Sequence, residues 1–335
     1  MNPPVRSLTM VVSALFLAAV FSVLSGFAQP VPGKPIRLGI IGVDTPHAVV
    51  FTRILNDPKD PEHVPGAKVV VAFKGGSPDI ESSQEVVDRY AKELKDKWEV
   101  EFVNDIPTLC KKVDAVLLES VDGRTHLEQV RAVLAARKPV FIDKPLATNY
   151  KDAKEIARLA DEAGVPWFTS SGLRFWEETQ RLKLAAKNDR IVGCNVHGSC
   201  PLDRTNPDLT WYGIHEVEML FTLMGTGCES VIQVHTDGTD VVIGKWKNGR
   251  LGVMRGIRDG RQDWGITLFG EQLLLHSDPV PFSYRPLVVE IMKFFQTHVA
   301  PVKEVETLEI FAFMDAANLS WQRGGAEVLL SEVIK

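Results

Sequence analysis

The chain has 335 residues, 45% hydrophobic and 24% charged, which suits about two globular domains. A formal net charge of -5 leaves no basic footprint for a nucleic-acid partner. Four cysteines show no zinc-like spacing, so no metal ligand set is expected.

Arg6 is the only early charge, and Leu8 to Leu24 is almost wholly apolar. Gly26 and Ala28 supply the small residues of a cleavage site. Residues 1–28 therefore read as a secretory signal, with the mature chain starting near Gln29. That reading implies a secreted or periplasmic protein with no stable membrane insertion after cleavage. A retained anchor is the alternative, because the apolar run is only just short of a spanning helix. An oxidising compartment would permit disulfides among Cys110, Cys194, Cys200 and Cys228. Cys194 and Cys200 lie in one strand-like run, roughly 20 Å apart if extended, so they pair only if the strand turns back near Gly198.

From Ile36 strands and helices alternate. Ile36 to Gly42 is a buried strand, and a helix follows with Thr45 as N-cap and Pro46 in its first position. Lys68 to Phe73 is a strand, Ser82 to Lys97 a polar helix, Asp114 to Leu118 a strand, and His126 to Ala136 a helix. Pro139 to Ile142 is a strand, Tyr150 to Ala163 a helix, and Val165 to Thr169 a strand. This order predicts an α/β domain with a doubly wound parallel sheet over residues 35–170. Beyond it, short apolar runs follow closely at Ile191 to Ser199, Ser230 to Thr236, Val241 to Trp246, Leu251 to Gly256, Trp264 to Phe269 and Gln272 to His276. Lys247-Asn248-Gly249 is a hairpin signal. Residues 171–335 thus read as an α+β domain with an open, mainly antiparallel sheet, its last strong helix running from Thr307 to Arg323.

Four stretches carry chemistry. In Val140-Phe141-Ile142-Asp143-Lys144-Pro145-Leu146-Ala147 the proline cannot extend a strand ladder, so Lys144 falls at a strand's carboxyl end. Open parallel sheets bind ligands at that edge; an ordinary surface lysine is the other reading. Gly39 to His47 occupies the first strand-to-helix turn, the dinucleotide fingerprint position, where amides at the helix start favour a pyrophosphate. With Gly42 as first glycine, Asp44 and His47 stand where the second and third belong, and Thr45 lies between them. Lys74 and Ser77 end the second strand with no acid, which tilts toward a 2′-phosphate over a free ribose hydroxyl. Ser120, Asp122 and His126 follow another strand at the same edge, as cofactor contacts or as a polar loop leading into a helix. His215 opens an apolar helix with Tyr212 and Met219 on a neighbouring face. It is an acid/base candidate or a histidine bonded to local backbone.

In this order, these pieces resemble the Gfo/Idh/MocA oxidoreductase family from about Arg37 to the C-terminus. Asp143-Lys144-Pro145 looks like that family's Glu-Lys-Pro motif with the acid shortened, and Glu306 to Met314 looks like its final helix. The resemblance implies a dinucleotide-binding Rossmann-like domain over 35–170 and a substrate-binding domain over 171–335. It implies hydride transfer between a sugar or polyol and NAD or NADP, held tightly because free nicotinamide dinucleotides are scarce outside the cytoplasm. By the same resemblance Lys144 polarises the reacting oxygen, His215 is the acid/base, Asp143 orients Lys144 or the nicotinamide side, and Arg174 lies on the substrate side. Gly42, Asp44, Thr45, His47, Lys74, Ser120, Asp122, His126, Asp143 and Lys144 are then the cofactor candidates. The family's aspartate four residues before the histidine is Trp211 here, and Tyr212 is the substitute considered. A glycosidase working through bound NAD and a carbohydrate-binding protein that has lost its cofactor remain the alternatives. An open sheet face commonly takes a second copy.

Overall fold

The computed structural model describes residues 33–334, so the signal expected over residues 1–28 lies outside the described residues. The first half contains β1 (Ile36–Ile41), α1 (Pro46–Asn56), β2 (Ala67–Phe73), α2 (Glu81–Trp98), β3 (Glu101–Val103), α3 (Ile106–Lys112), β4 (Ala115–Leu118), α4 (Gly123–Ala135), β5 (Val140–Ile142), α5 (Tyr150–Ala163) and β6 (Trp167–Thr169). Its strands form one parallel sheet in the order β3-β2-β1-β4-β5-β6. The order reverses between β1 and β4, which opens a crevice beyond the carboxyl ends of those strands.

A 3-10 turn (Gly172–Phe175) leads into the second half: α6 (Glu177–Ala185), β7 (Ile191–Ser199), α7 (Ile214–Met224), β8 (Cys228–Thr236), β9 (Thr239–Trp246), β10 (Arg250–Ile257), β11 (Gly265–Gly270), β12 (Leu274–His276), α8 (Arg285–Thr297), α9 (Glu304–Gln322), β13 (Val328–Leu329) and α10 (Leu330–Val333). The second sheet runs β12-β11-β7-β10-β9-β8-β13. It is antiparallel except for β7 beside β10, which run parallel.

Alternation along the first strands decides which layer each side chain joins. Val116, Leu118, Val140 and Ile142 pack under α4 and α5, in a core that continues into the second sheet. Ala115, Leu117 and Phe141 face the other way, onto α1. That second core also takes Val288, Ile291, Met292, Phe294 and Phe295 from α8. A helix from beyond residue 171 thus packs on the first domain, and Phe294 meets Phe168 at 4.9 Å between ring centroids.

Three local expectations shift. The helix holding His126 begins earlier, at Gly123, because the Asp122 side chain caps it by accepting from Arg124 N–H. The His215 helix begins one residue before the histidine, at Ile214. All four cysteines are buried and free, and β7 runs on to Ser199 without folding back. Among the described residues no helix is long and apolar enough to cross a membrane.

Gly42 is fixed by space as well as by backbone. Its φ is +85°, and a Cβ there would lie 2.3 Å from Ser120 Oγ and 2.5 Å from Ser120 Cα. Gly42→Ala is therefore expected to cost about 2 kcal/mol or more, read as a lower urea midpoint. An unchanged midpoint would show that the β1 and β4 ends are free to separate.

Candidate active site

The β1 end of the crevice is held by backbone. Gly42 N–H donates to Phe73 O (2.9 Å), and Val43 N–H donates to Lys74 O (2.9 Å). Thr45 is the N-cap of α1, yet its hydroxyl caps nothing and is buried without a partner. Asp44 is enclosed: its carboxylate accepts from Ser83 Oγ (2.7 Å) and Val121 N–H (3.1 Å), and burial pushes its pKa up. The carboxylate that stands in the second glycine's place is thus engaged by the segments at β4 and α2. The amides of a helix start and the unspent Thr45 hydroxyl are donors that a pyrophosphate uses. The residues present fit a dinucleotide at this end.

Other residues of the cofactor list are tied to one another. Ser120 Oγ donates to Gln129 Oε1 (2.9 Å). His126 is fully buried between Ser120 O (2.8 Å) and Leu146 O (3.2 Å), and desolvation lowers its pKa. It fastens the β4 loop to the segment after Pro145 and turns neither ring nitrogen to the crevice. Asp122 accepts from Ser77 Oγ (3.3 Å) and from Arg124, which also bridges to Asp79 (2.9 Å). Lys74 pairs with Asp88 on the surface. These bonds draw the loop between β2 and α2 against the β4 loop.

The ends of β4 and β5 and the first turn of α1 bring ionisable groups together. Asp143 follows β5 and is 1% exposed; its Oδ2 receives a short contact from His47 Nδ1, and its Oδ1 has no partner. His47 stacks on Phe51, and its Nε2 lies 2.9 Å from Tyr284 OH. Glu119, the residue just after β4, is fully buried with neither oxygen bonded. Enclosure, then Asp143 beside it, hold the Glu119 carboxyl well above the ordinary carboxylate range. Enclosure alone would raise Asp143 as well, but His47 and Lys144 outweigh it and hold that carboxyl down.

Lys144 is half-buried at the same edge, with Nζ 5.4 Å from the centre of the Tyr212 ring. Tyr212 meets His215 edge-on at 4.7 Å between centroids. Enclosure pulls the Lys144 ammonium below the ordinary lysine range, partly offset by Asp143 and Glu119. Enclosure, then Lys144 and His47, hold His215 well below the ordinary histidine range. His215 Nδ1 lies 2.7 Å from Ser171 Oγ, on the turn after β6. Ser171 is therefore the side chain bonded to His215, where Tyr212 was considered as the substitute for the aspartate. The sequence displayed Ser171 and Glu119 beside residues that drew notice, but nothing local marked their contacts.

Arg174 is placed elsewhere than expected. It is 5% exposed, its Nε bonded to Glu218 and its Nη1 to Glu306 (2.7 Å). Its guanidinium ties the 3-10 turn to α7 and α9, and its Nη2 is buried without a partner.

Residues 36–170 match the model of an oxidoreductase family with an NAD-binding Rossmann fold. Those residues therefore form a domain of the Gfo/Idh/MocA family. It is 31% identical to myo-inositol 2-dehydrogenase of Thermotoga maritima over 195 residues, which is 50% of this chain and 57% of that protein. Inositol 2-dehydrogenase of Mycolicibacterium gilvum is 44% identical over 72 residues, 21% of this chain and 20% of that one. The matches thus span little more than half the length of the first of these curated relatives and about a fifth of the second. The fold is shared with a probable dehydrogenase of Thermotoga maritima (TM-score 0.74, 24% identity, covering 89% of this chain and all of that one). It is shared too with scyllo-inositol dehydrogenase from Lactobacillus casei, solved with NAD(H) and scyllo-inositol (TM-score 0.74, 15% identity, with the same coverage).

The buried Arg174 cluster separates a structural from a substrate-binding role. Arg174→Met leaves Glu218 and Glu306 facing each other, and is expected to cost about 3–5 kcal/mol in urea unfolding. A variant of unchanged stability that binds a polyol more weakly would return Arg174 to the substrate side.

Proposed function

We propose that this chain is an NAD(P)-dependent oxidoreductase acting on a sugar or cyclic polyol, with Lys144 and His215 as its polarising and proton-transferring groups. The observation that carries the reading is the continuous row of Lys144, Tyr212 and His215, with 5.4 Å and 4.7 Å between neighbours, at the carboxyl edge of an NAD-binding sheet. Family membership and the inositol dehydrogenases among the relatives support the substrate class. A bound nicotinamide would take up or return hydride.

The residues would divide the remaining work. Gly42 lets the β1 turn close against Ser120 at the end of β4, and Thr45 offers its unpaired hydroxyl to the pyrophosphate. Lys144 binds the reacting oxygen and stabilises negative charge as it develops there. His215 is neutral at ordinary pH, so its free Nε2 can take the proton of an alcohol. Tyr212 lies between the two and excludes water from one side. Export of the chain, with cleavage near Gln29, belongs to the same proposal and rests on the sequence of residues 1–28 alone.

Lys144→Ala is expected to lower kcat/KM with an inositol or related polyol by about 100-fold or more, leaving NAD(P) affinity within a few-fold. Equal turnover in the variant would remove Lys144 from the mechanism. In the wild-type chain kcat/KM should be bell-shaped in pH. The acid limb requires neutral His215 and should fall below the ordinary histidine range. The alkaline limb requires protonated Lys144 and should fall below the ordinary lysine range. An acid limb unmoved by His215→Asn in the residual activity would reassign that proton.

A further inference from the structure

We propose that His47, Glu119 and Asp143 form a binding site for a divalent first-row cation of the Mn2+ or Zn2+ class. The three come from separate segments: the first turn of α1, the residue after β4 and the residue after β5. One ligand atom from each lies within 4.8 Å of the other two. Ligands on opposite sides of an ion at about 2.1 Å stand about 4.2 Å apart, so small side-chain adjustments close the set.

Unspent bonding capacity points the same way. Both oxygens of Glu119 and Oδ1 of Asp143 are buried with no hydrogen-bond partner. A cation satisfies these oxygens together and balances the two carboxylates, leaving Lys144 as the net charge beside them.

His47 is already arranged as a ligand. Its Nε2 lies 2.9 Å from Tyr284 OH, which fixes the ring and leaves Nδ1 facing Asp143 Oδ2. Metal-bound histidines are held this way through their second nitrogen. One imidazole with two carboxylates favours Mn2+ or Zn2+ over the all-oxygen shells of Ca2+. The sequence shows no metal motif because the three positions are separated by whole βα units.

The test needs neither polyol nor nicotinamide, so it stands apart from the oxidoreductase reading. The full chain is stripped with chelator, dialysed, and titrated with Mn2+ or Zn2+ separately. About one equivalent is expected to bind, with a nitrogen coupling in the pulsed EPR spectrum of the Mn2+ form. Glu119→Gln should weaken binding more than tenfold, and His47→Gln should abolish the nitrogen coupling. Tyr284→Phe, which keeps all three ligands, should weaken binding several-fold and guards against a Glu119 variant that fails to fold. Substoichiometric binding by the wild-type chain overturns the proposal. So does affinity that a folded Glu119→Gln leaves unchanged, or Mn2+ binding without nitrogen coupling.

Discussion

The contact between His47 and Asp143 holds the two halves of the site in register. Asp143 extends β5, His47 stands on the first turn of α1, and Tyr284, just before α8, reaches the far side of the imidazole. Three segments far apart in the chain are thereby joined at one sheet edge. Consecutive residues at a strand end point to opposite sides. With Asp143 turned toward His47, Lys144 is directed toward Tyr212 and α7. The packing of α8 on Phe51 and Phe168 supports the same geometry from below, since it brings Tyr284 to the edge.

Charge is handled in two contrasting ways within the same molecule. Around Arg174 two carboxylates meet one guanidinium, and both acids have a bonded partner. Around Glu119 a carboxyl is enclosed without any bond. Burial of the first kind is a scaffold, because each carboxylate is bonded to the guanidinium and joins separate elements. Burial of the second kind stores a demand for a proton or a cation that the protein itself does not meet. That it lies beside Lys144, rather than in a remote part of the core, ties the unmet demand to the chemistry of the edge.

Periodicity carried most of the architecture. The βα alternation from Ile36 to Thr169 marked the parallel sheet, and Asp143-Lys144-Pro145 marked the end of β5. What escaped did so for physical reasons. The segment Arg285–Thr297 is rich in Val, Ile and Phe after a proline, so its pattern does not distinguish strand from helix. β3 has three residues, too few for a period. The parallel pairing of β7 with β10 depends on a connection through α7, β8 and β9 that no local signal encodes. Within the site, Gly42, Lys144 and His215 were legible because each type is unusual in its setting. Ser171, Glu119 and Tyr284 were not, because their importance lies in tertiary partners. Asp44 and Arg174 stood at suggestive positions, and their bonds to Ser83, Val121, Glu218 and Glu306 depend on tertiary neighbours that no local pattern displays.

The exchange of a carboxylate for Ser171 at His215 has a direction. A hydroxyl orients the imidazole but does little to stabilise its protonated form, whereas an aspartate would do both. Enclosure and the nearby Lys144 charge act in the same sense, each disfavouring the imidazolium. Under the proposed mechanism the neutral imidazole is thus the resting form at ordinary pH and is available to accept an alcohol proton, but its low basicity makes it a weak acceptor. Proton removal then depends on Lys144 acidifying the bound hydroxyl, and an imidazolium, once formed, gives its proton up readily.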